Sequence, residues 1–554
     1  MANTKFIFVS GGVISGIGKG ITSASIALLL KQAGYKIAPI KFEGYLNIDA
    51  GTINPIEHGD PFLCEDGAET DMDIGTYEKF LDQDMGKINF VTMGQIYQTI
   101  IEKERKFEYN GEDVEAVHIT EEIIRRIELV AEQNKAEIVC IELGGTAGEY
   151  WNVFYYEAAR LLAFQHPGDV IHVHVSYVPT PHHLGEPKTK PTQLSVRTLN
   201  SLGIQPDFIV ARTTRPLDDR RKERLAMFCN IHGDHVFSNP DVDSPYEIPL
   251  ILNDQKAAQK ILNKLGLEPR DPNIDDWSRF IDSVKAEKSK AVEIAIIGKY
   301  FGTGDYQLRD SYAALFDAID HAAWKEGVGV KTRWVSAQQI EKEGPEVIGN
   351  PDGVIVPIGW GERGAEGMIT AANYAREKKI PYLGLCYGMQ LAVVSFARHV
   401  LGLHDANTTE NDQSSPNPVI HMIESQKDLI ARRAYGGTMR LGGWEARIKP
   451  DTLAWRLYEK GDQFNGFINR EENLTSERHR HRYEFNNAYE EQLANHGLHV
   501  TARSVAENLG EIVELKQDAH PFYIGTQGHP EYKSRPLHPH PIFVGFIEAC
   551  KNHQ

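Results

Sequence analysis

Phe6-Ile7-Phe8-Val9-Ser10-Gly11-Gly12-Val13-Ile14-Ser15-Gly16-Ile17-Gly18-Lys19-Gly20-Ile21-Thr22 is the stretch that decides the fold. An apolar run with the look of a buried strand enters a glycine-rich turn, and residues 24–32 beyond it are helix formers. Backbone N–H groups of such a turn and of the first helical turn converge on one point, which suits a phosphate. Glycines permit close backbone approach, and Lys19 adds a point charge for β- and γ-phosphates. The strict phosphate-loop pattern is not met, because Val13 stands where its first glycine belongs and Gly20, not Ser or Thr, follows Lys19. The stretch therefore reads as a variant P-loop; the alternative is an ordinary βα turn carrying a surface lysine.

Working outward, 554 residues leave room for two to four domains, and 41% apolar with 25% charged residues is ordinary for a globular protein. No window reaches the ~20 apolar residues of a membrane span, and Met1-Ala2-Asn3-Thr4-Lys5 leads straight into the first strand. A cytoplasmic protein with no membrane partner is expected. The net charge of −18 argues against nucleic acid as a partner. Five scattered cysteines form no CxxC pair, so reduced thiols are expected. His172 and His174 alternate along one apparent strand, and His479 and His481 sit in an Arg-rich run, neither pair with a third metal ligand nearby.

Residues 36–41 read as a second strand, and 42–80 as a long, weakly periodic loop carrying Glu65-Asp66-Gly67-Ala68-Glu69-Thr70-Asp71-Met72-Asp73. If it folds back over the sheet, its carboxylates reach the P-loop, where Mg²⁺ bound with a nucleotide takes one or two of them; the alternative is a solvated acidic turn. Helices are predicted over 92–105 and 120–132, then a buried strand, 137–143, that ends in Glu142 before Gly144-Gly145. A carboxylate at the C-terminal end of a sheet strand is a second candidate Mg²⁺ ligand. Strands at 170–175 and 207–211 alternate with helices at 192–202 and 218–228, the pattern of a mostly parallel, helix-covered sheet. Lys188-Thr189-Lys190-Pro191-Thr192-Gln193, at a helix start, is either a second phosphate site or a surface lysine pair.

GGVISGIGKG, YLNIDAGTINPIEHGDPF, EDGAETDMDIGTYEKF, IELGGTAG and GEPKTKPTQLSV together resemble the synthetase domain of the CTP synthase family, and the likeness runs over essentially the whole chain. The resemblance implies that residues 15–21 cradle ATP, that Lys19 and Lys41 serve phosphoryl transfer, and that Asp73 and Glu142 hold Mg²⁺. It also implies that residues 188–193, with Arg224, hold the triphosphate of UTP, and that Glu149 and Asp241 contact nucleotide. The chain departs from the family pattern at Glu149-Tyr150-Trp151 and at Glu43-Gly44, positions that bear on base recognition and feedback inhibition by CTP.

A Pro-containing, charged stretch, 267–291, reads as an interdomain linker between a synthetase domain, 1–266, and a second α/β domain, 292–554. The second domain holds Ile380-Pro381-Tyr382-Leu383-Gly384-Leu385-Cys386-Tyr387-Gly388-Met389-Gln390. A buried strand delivers Cys386 onto a tight turn at a helix N-terminus, exposed, where the helix dipole favours the thiolate. Alone, such a cysteine could be packing, but Gly528-His529-Pro530-Glu531 supplies a base and, on the same side of an extended segment, an acid to orient it. The glycine turn after 354–358, at Gly359, offers an N–H that with that of Tyr387 would form an oxyanion hole.

Order and context resemble a class I glutamine amidotransferase, which implies that Gln390, Glu410 and Arg482 contact glutamine. Ile358, Tyr387 and Gly528 depart from that family's usual residues, and Ala313 stands in place of a lysine linked to activation by GTP. The expected reaction is amination of UTP to CTP with ATP as co-substrate and glutamine as nitrogen donor. The resemblance further implies GTP as allosteric activator and a homotetramer that assembles into filaments. Two alternatives stand beside it. A cobyrinic acid a,c-diamide synthase would have to lack KTKPTQ and EDGAETDMDIG, both present here. A catalytically impaired, filament-forming regulatory homologue would draw on the departures just named.

Overall fold

The computed structural model describes residues 4–54, 59–288, 290–300, 302–303, 306–307, 309–461 and 467–553. Part of the YLNIDAGTINPIEHGDPF motif and of the segment after Tyr300 therefore lies outside the described residues. Two compact units are present: Met1–Asp49 with Asp73–Asp282, and Ala50–Met72 with Ser283–Gln554. Ala50–Met72, inside the stretch read as the synthetase domain, thus belongs to the second unit. Much of the stretch read as a linker is structured with the first, where helix Asp275–Lys285 buries Trp277, Phe280 and Ile281 and the Trp277 indole donates to Tyr246 O at 2.8 Å.

The first unit is built on a seven-stranded, wholly parallel sheet. Its order is Phe90–Thr92, Ile37–Glu43, Ile138–Leu143, Lys5–Gly12, Val170–Tyr177, Phe208–Thr213 and Val236–Pro240. The central strands read as apolar runs rather than alternations because helices cover both faces. Register sets Val9 and Lys41 on either side of Glu142. Ser10 Oγ lies 2.8 Å from both His172 Nε2 and His174 Nδ1, and His174 Nε2 lies 2.8 Å from Ser195 Oγ, a buried chain from the first strand to helix Lys190–Ser201. Burial pushes these imidazoles down to about 3 and about 4, so both are neutral hydrogen-bonding parts.

The second unit holds a nine-stranded sheet. Five parallel strands, Gly329–Ser336, Ala291–Gly298, Gly353–Val356, Tyr382–Leu385 and Tyr523–Thr526, continue into four antiparallel ones, Gly510–Leu515, Leu498–Ser504, Arg440–Ile448 and Leu474–His481. Alternation splits Ala291–Gly298 between two cores, Ile294 and Ile296 on one face, Ala295 and Ile297 on the other. Among the described residues no helix is long and apolar enough to cross a membrane.

Candidate active sites

In the first unit the turn after Lys5–Gly12 closes on Gly18, whose left-handed backbone (φ 81°) caps helix Lys19–Gln32. The helix starts at Lys19, earlier than its composition alone indicates, and no side chain caps it, so its first N–H groups remain open to an anion. Ser15 and Gly16 are exposed, Ile17 is buried as an anchor, and Ile21 is half-buried. Burial pulls the Lys19 ammonium below its usual range, while Glu142 acts in the opposite sense.

Lys41, almost wholly buried, gathers three carboxylates. Asp73 bonds its ammonium directly, Glu43 Oε1 lies at 2.9 Å and Glu142 Oε1 at 3.7 Å. Tyr77 donates to Glu142 Oε2 at 2.9 Å, which fixes that carboxylate. Asp73 also closes on the helix start, since a Cβ added at Gly20 would fall 2.6 Å from its Oδ1. These carboxylates converge on the Lys41 ammonium, and among the described residues no group of three or more His, Cys, Asp or Glu is placed to hold a metal ion by itself. One or two carboxylates beside a phosphate cradle are what Mg²⁺ takes when a nucleotide supplies further oxygens. Of the acidic run, Asp73 is the member that reaches this cradle; Glu65 and Glu69 belong to the second unit. Glu43, set down above as a departure, is the third carboxylate.

Lys188, Thr189, Lys190 and Gln193 line a cavity of about 490 Å³ with Arg224. Arg197, Arg220 and Arg221, which the motif did not single out, line it too, and one carboxylate, Glu186, offsets the six cations. Glu186 pairs with Lys188 and lies 3.1 Å from Arg221. Pro191 occupies the first turn of helix Lys190–Ser201, and Thr192 is turned inward, where its hydroxyl donates to Tyr177 O at 3.1 Å. Glu149 accepts from Thr146 N at 2.8 Å and so closes its own turn, while Asp241 pairs with Arg212 at 2.9 Å.

In the second unit, strand Tyr382–Leu385 runs into helix Tyr387–His399 through Cys386, which adopts φ 51°, ψ −102°. A cysteine in that region is strained, as at a nucleophile elbow. Gly388 makes the elbow sterically feasible, because a Cβ there would sit 1.9 Å from Val356 O. Contrary to the expected exposure, Cys386 is only 2% exposed. The cause is the layer laid over it by Arg480, whose carbonyl lies 3.9 Å from Sγ, and by Gln527, whose Nε2 donates to Sγ at 3.4 Å.

His529, wholly buried, bonds Glu531 Oε1 through Nδ1 at 2.7 Å. Its Nε2 has no hydrogen-bond partner among the described residues. Burial alone would lower the affinity of this imidazole for a proton, but Glu531 and then the Cys386 sulfur outweigh burial and push it up to about 10. The ring is therefore an imidazolium at neutral pH, poised between an acid and a sulfur. A Cβ on Gly528 would lie 2.7 Å from Glu477 Cβ, which accounts for glycine at that departure.

The turn at Gly359 packs against the elbow, for a Cβ there would lie 3.1 Å from Tyr387 Cδ1. Neighbouring N–H groups are committed, Trp360 N to Tyr300 OH at 3.0 Å and Gly361 N to Glu410 Oε1 at 2.6 Å. Lys299 holds the same turn by donating to Trp360 O at 2.6 Å and Gly361 O at 2.7 Å, with its ammonium 4.6 Å over the Tyr387 ring. Burial pushes this lysine down to about 8. Ile358 is buried in the core beneath the turn. Glu410 therefore joins the Gly359–Gly361 turn, whereas Arg482 is tied to Gln426, Tyr435 O (2.8 Å) and Thr438 Oγ1 (2.9 Å) and makes no hydrogen bond to Cys386, Tyr387 or Gly359.

The hairpin of Phe62–Leu63 and Glu69–Thr70 lies in the same unit. Arg478 meets Glu65 at 3.1 Å and Leu63 O at 2.9 Å, Arg480 meets Glu69 at 2.6 Å and Gly51 O at 3.1 Å, and Tyr532 OH meets Asp60 at 3.0 Å. The two arginines are thereby buried as ion pairs, and the backbone carbonyl of Arg480 is the atom of this strand that approaches the thiol.

A family model described as CTP synthase N-terminus matches residues 5–267, and one described as glutamine amidotransferase class-I matches residues 307–549. Curated CTP synthases are similar along their whole length. The chain is 44% identical to that of Caldanaerobacter subterraneus subsp. tengcongensis, over 99% of this chain and 98% of the relative. It is 45% identical to that of a strain of Thermus thermophilus, over 99% and 97%. It is 46% identical to that of Sulfurisphaera tokodaii, over 99% of both chains. A phosphate cradle on a parallel sheet, a strained cysteine with its histidine and acid, and likeness of this extent lead to one statement: the chain belongs to the CTP synthase family, which joins a synthetase domain to a class I glutamine amidotransferase domain.

Proposed function

We propose that this chain makes CTP from UTP, ATP and glutamine, as a glutamine-hydrolysing ligase of pyrimidine nucleotide biosynthesis. The observation that carries the reading is the occurrence, in one chain, of the Cys386–His529–Glu531 set and of the Lys41–Asp73–Glu142 cluster beside the P-loop. In the second unit the Cys386 thiolate adds to the carboxamide carbon of glutamine, and N–H groups of Gly359 and Tyr387 receive the developing oxyanion. His529 gives its proton to the departing ammonia and then takes one from the water that releases glutamate from the thioester.

In the first unit the turn at residues 15–21 receives the phosphates of ATP, and Lys19 offsets charge on the phosphoryl group as it passes to the 4-oxygen of UTP. The six cations around Lys188 and Arg224 hold the triphosphate of UTP. Asp73 and Glu142 would hold Mg²⁺, which supplies charge neutralisation to the nucleotide phosphates. Ammonia then displaces phosphate at C4, which balances as ATP, UTP, glutamine and water giving ADP, phosphate, CTP and glutamate. The same reading carries a cytoplasmic homotetramer, for which sedimentation of the purified protein is the check.

The test is CTP formation, followed by absorbance, with either glutamine or ammonium as nitrogen source and with and without GTP. Both sources are expected to give product, and Cys386→Ala to lose glutamine-dependent synthesis while keeping ammonium-dependent synthesis. Asp73→Asn is expected to lose both while glutamine hydrolysis persists. Equal loss of both syntheses in Cys386→Ala would contradict the division of labour.

A further inference from the structure

The parallel register that pairs Leu385 with Thr526 sets the next residues of both strands, Cys386 and Gln527, side by side, and Cys386 N donates to Thr526 O at 2.7 Å. Gln527 is 1% exposed. Its Nε2 lies 3.4 Å from Cys386 Sγ, and the direction of that contact is set from further away. Tyr483 O, which can only accept, takes a hydrogen bond from Gln390 Nε2 at 2.9 Å. The same NH₂ group donates at 3.1 Å to Gln527 Oε1. With its oxygen committed to Gln390, Gln527 must turn its NH₂ toward the sulfur. A backbone carbonyl thus fixes one amide, that amide fixes the second, and the second presents a donor to the nucleophile. Among the described residues Gln390 Oε1 is left buried without a partner, free to accept from a ligand.

We infer that Gln527 is a catalytic residue of the glutaminase reaction, donating a hydrogen bond that stabilises the Cys386 thiolate, with Gln390 as the positioning residue that fixes its orientation. The inference rests on Cys386 being the glutamine nucleophile. The donor adds to what His529 provides, and differs from it in kind. His529 must surrender its proton to ammonia during the reaction, whereas a carboxamide keeps its hydrogens and continues to favour sulfur as leaving group when water resolves the thioester.

The test uses the full chain and iodoacetamide, with alkylation of Cys386 followed by mass spectrometry of its peptide from pH 5 to 10. All five cysteines are buried, so it is the mass of the Cys386 peptide that isolates this thiol, while burial pushes Cys140 up to about 12 and Cys229 up to about 11. Gln527→Met fills the same space without a donor, and Gln527→Glu places a carboxylate against the sulfur. Alkylation below the titration midpoint is expected to slow about tenfold in Gln527→Met, with the midpoint about one pH unit higher, and to slow further in Gln527→Glu. A midpoint in Gln527→Met equal to that of the parent chain overturns the inference; should that variant melt early, the comparison of Gln527→Glu with the parent decides in the same way. Alkylation reads the sulfur directly. A shifted midpoint alongside undiminished glutamine-dependent synthesis by Cys386→Ala would therefore leave the hydrogen bond standing and remove the assigned reaction.

Discussion

His529 holds its proton only because Glu531 stands 2.7 Å from Nδ1 and the sulfur of Cys386 lies on its other side. An imidazole raised from the usual 6.5 to about 10 contributes stability that is complete below pH 6.5 and drains away as pH rises toward 10. Glu531→Gln removes the charge that sustains the shift. The variant is expected to lose about two orders of magnitude in kcat/KM for glutamine. Its melting temperature should also decline less between pH 7 and pH 10 than that of the parent chain, which differential scanning calorimetry across that range would check. Cys386, His529 and Glu531 were legible in the sequence because strand, turn and helix are local signals and the acid follows the base by two residues. Gln527 was not, since its meaning arises from the register of two strands whose pairing no local pattern specifies.

At the scale of elements, the parallel strands and their helices were legible as apolar runs alternating with helical periods, and most boundaries fall within a few residues. The antiparallel strands between Arg440 and Leu515 were not read. Leu474–His481 shows why: Glu477, Arg478, His479, Arg480 and His481 are all buried, yet a run of charges reads as a solvated face. Counter-charges from elsewhere in the unit, Glu65 and Glu69 among them, make the burial tolerable, and no local pattern announces them. The elbow between Tyr382–Leu385 and Tyr387–His399 depends on bare backbone at Gly388. Gly388→Ala is expected to destabilise the second unit by about 3 kcal/mol through overpacking against Val356 O, measurable by urea unfolding.

At the scale of the molecule, the chain passes between its two units three times, at Asp49–Ala50, Met72–Asp73 and Asp282–Ser283. Composition and Pro/charge punctuation marked the region of the last passage and missed the first two, since a brief excursion has no linker composition of its own. The excursion supplies the carboxylate that compensates Arg480, whose Nε lies 2.6 Å from Glu69. Arg480→Ala leaves Glu69 buried without its cation and is expected to cost about 3–5 kcal/mol in the second unit, while Arg480→Ala with Glu69→Leu should regain much of it. A double-mutant cycle by thermal or urea unfolding is the check, and additivity of the two changes would remove the pair from the account.

That excursion has a consequence for how the gene can be recombined. An end-to-end fusion of an ancestral amidotransferase to an ancestral synthetase would leave a single seam, and either half could then be exchanged between homologues at that seam. Here the charge balance of the buried arginines is written in two separate reading-frame intervals, residues 50–72 and 283–554. A chimaera cut only near Asp282 would set one parent's arginines against the other parent's carboxylates. Hybrids in which both intervals descend from the same parent keep that balance intact.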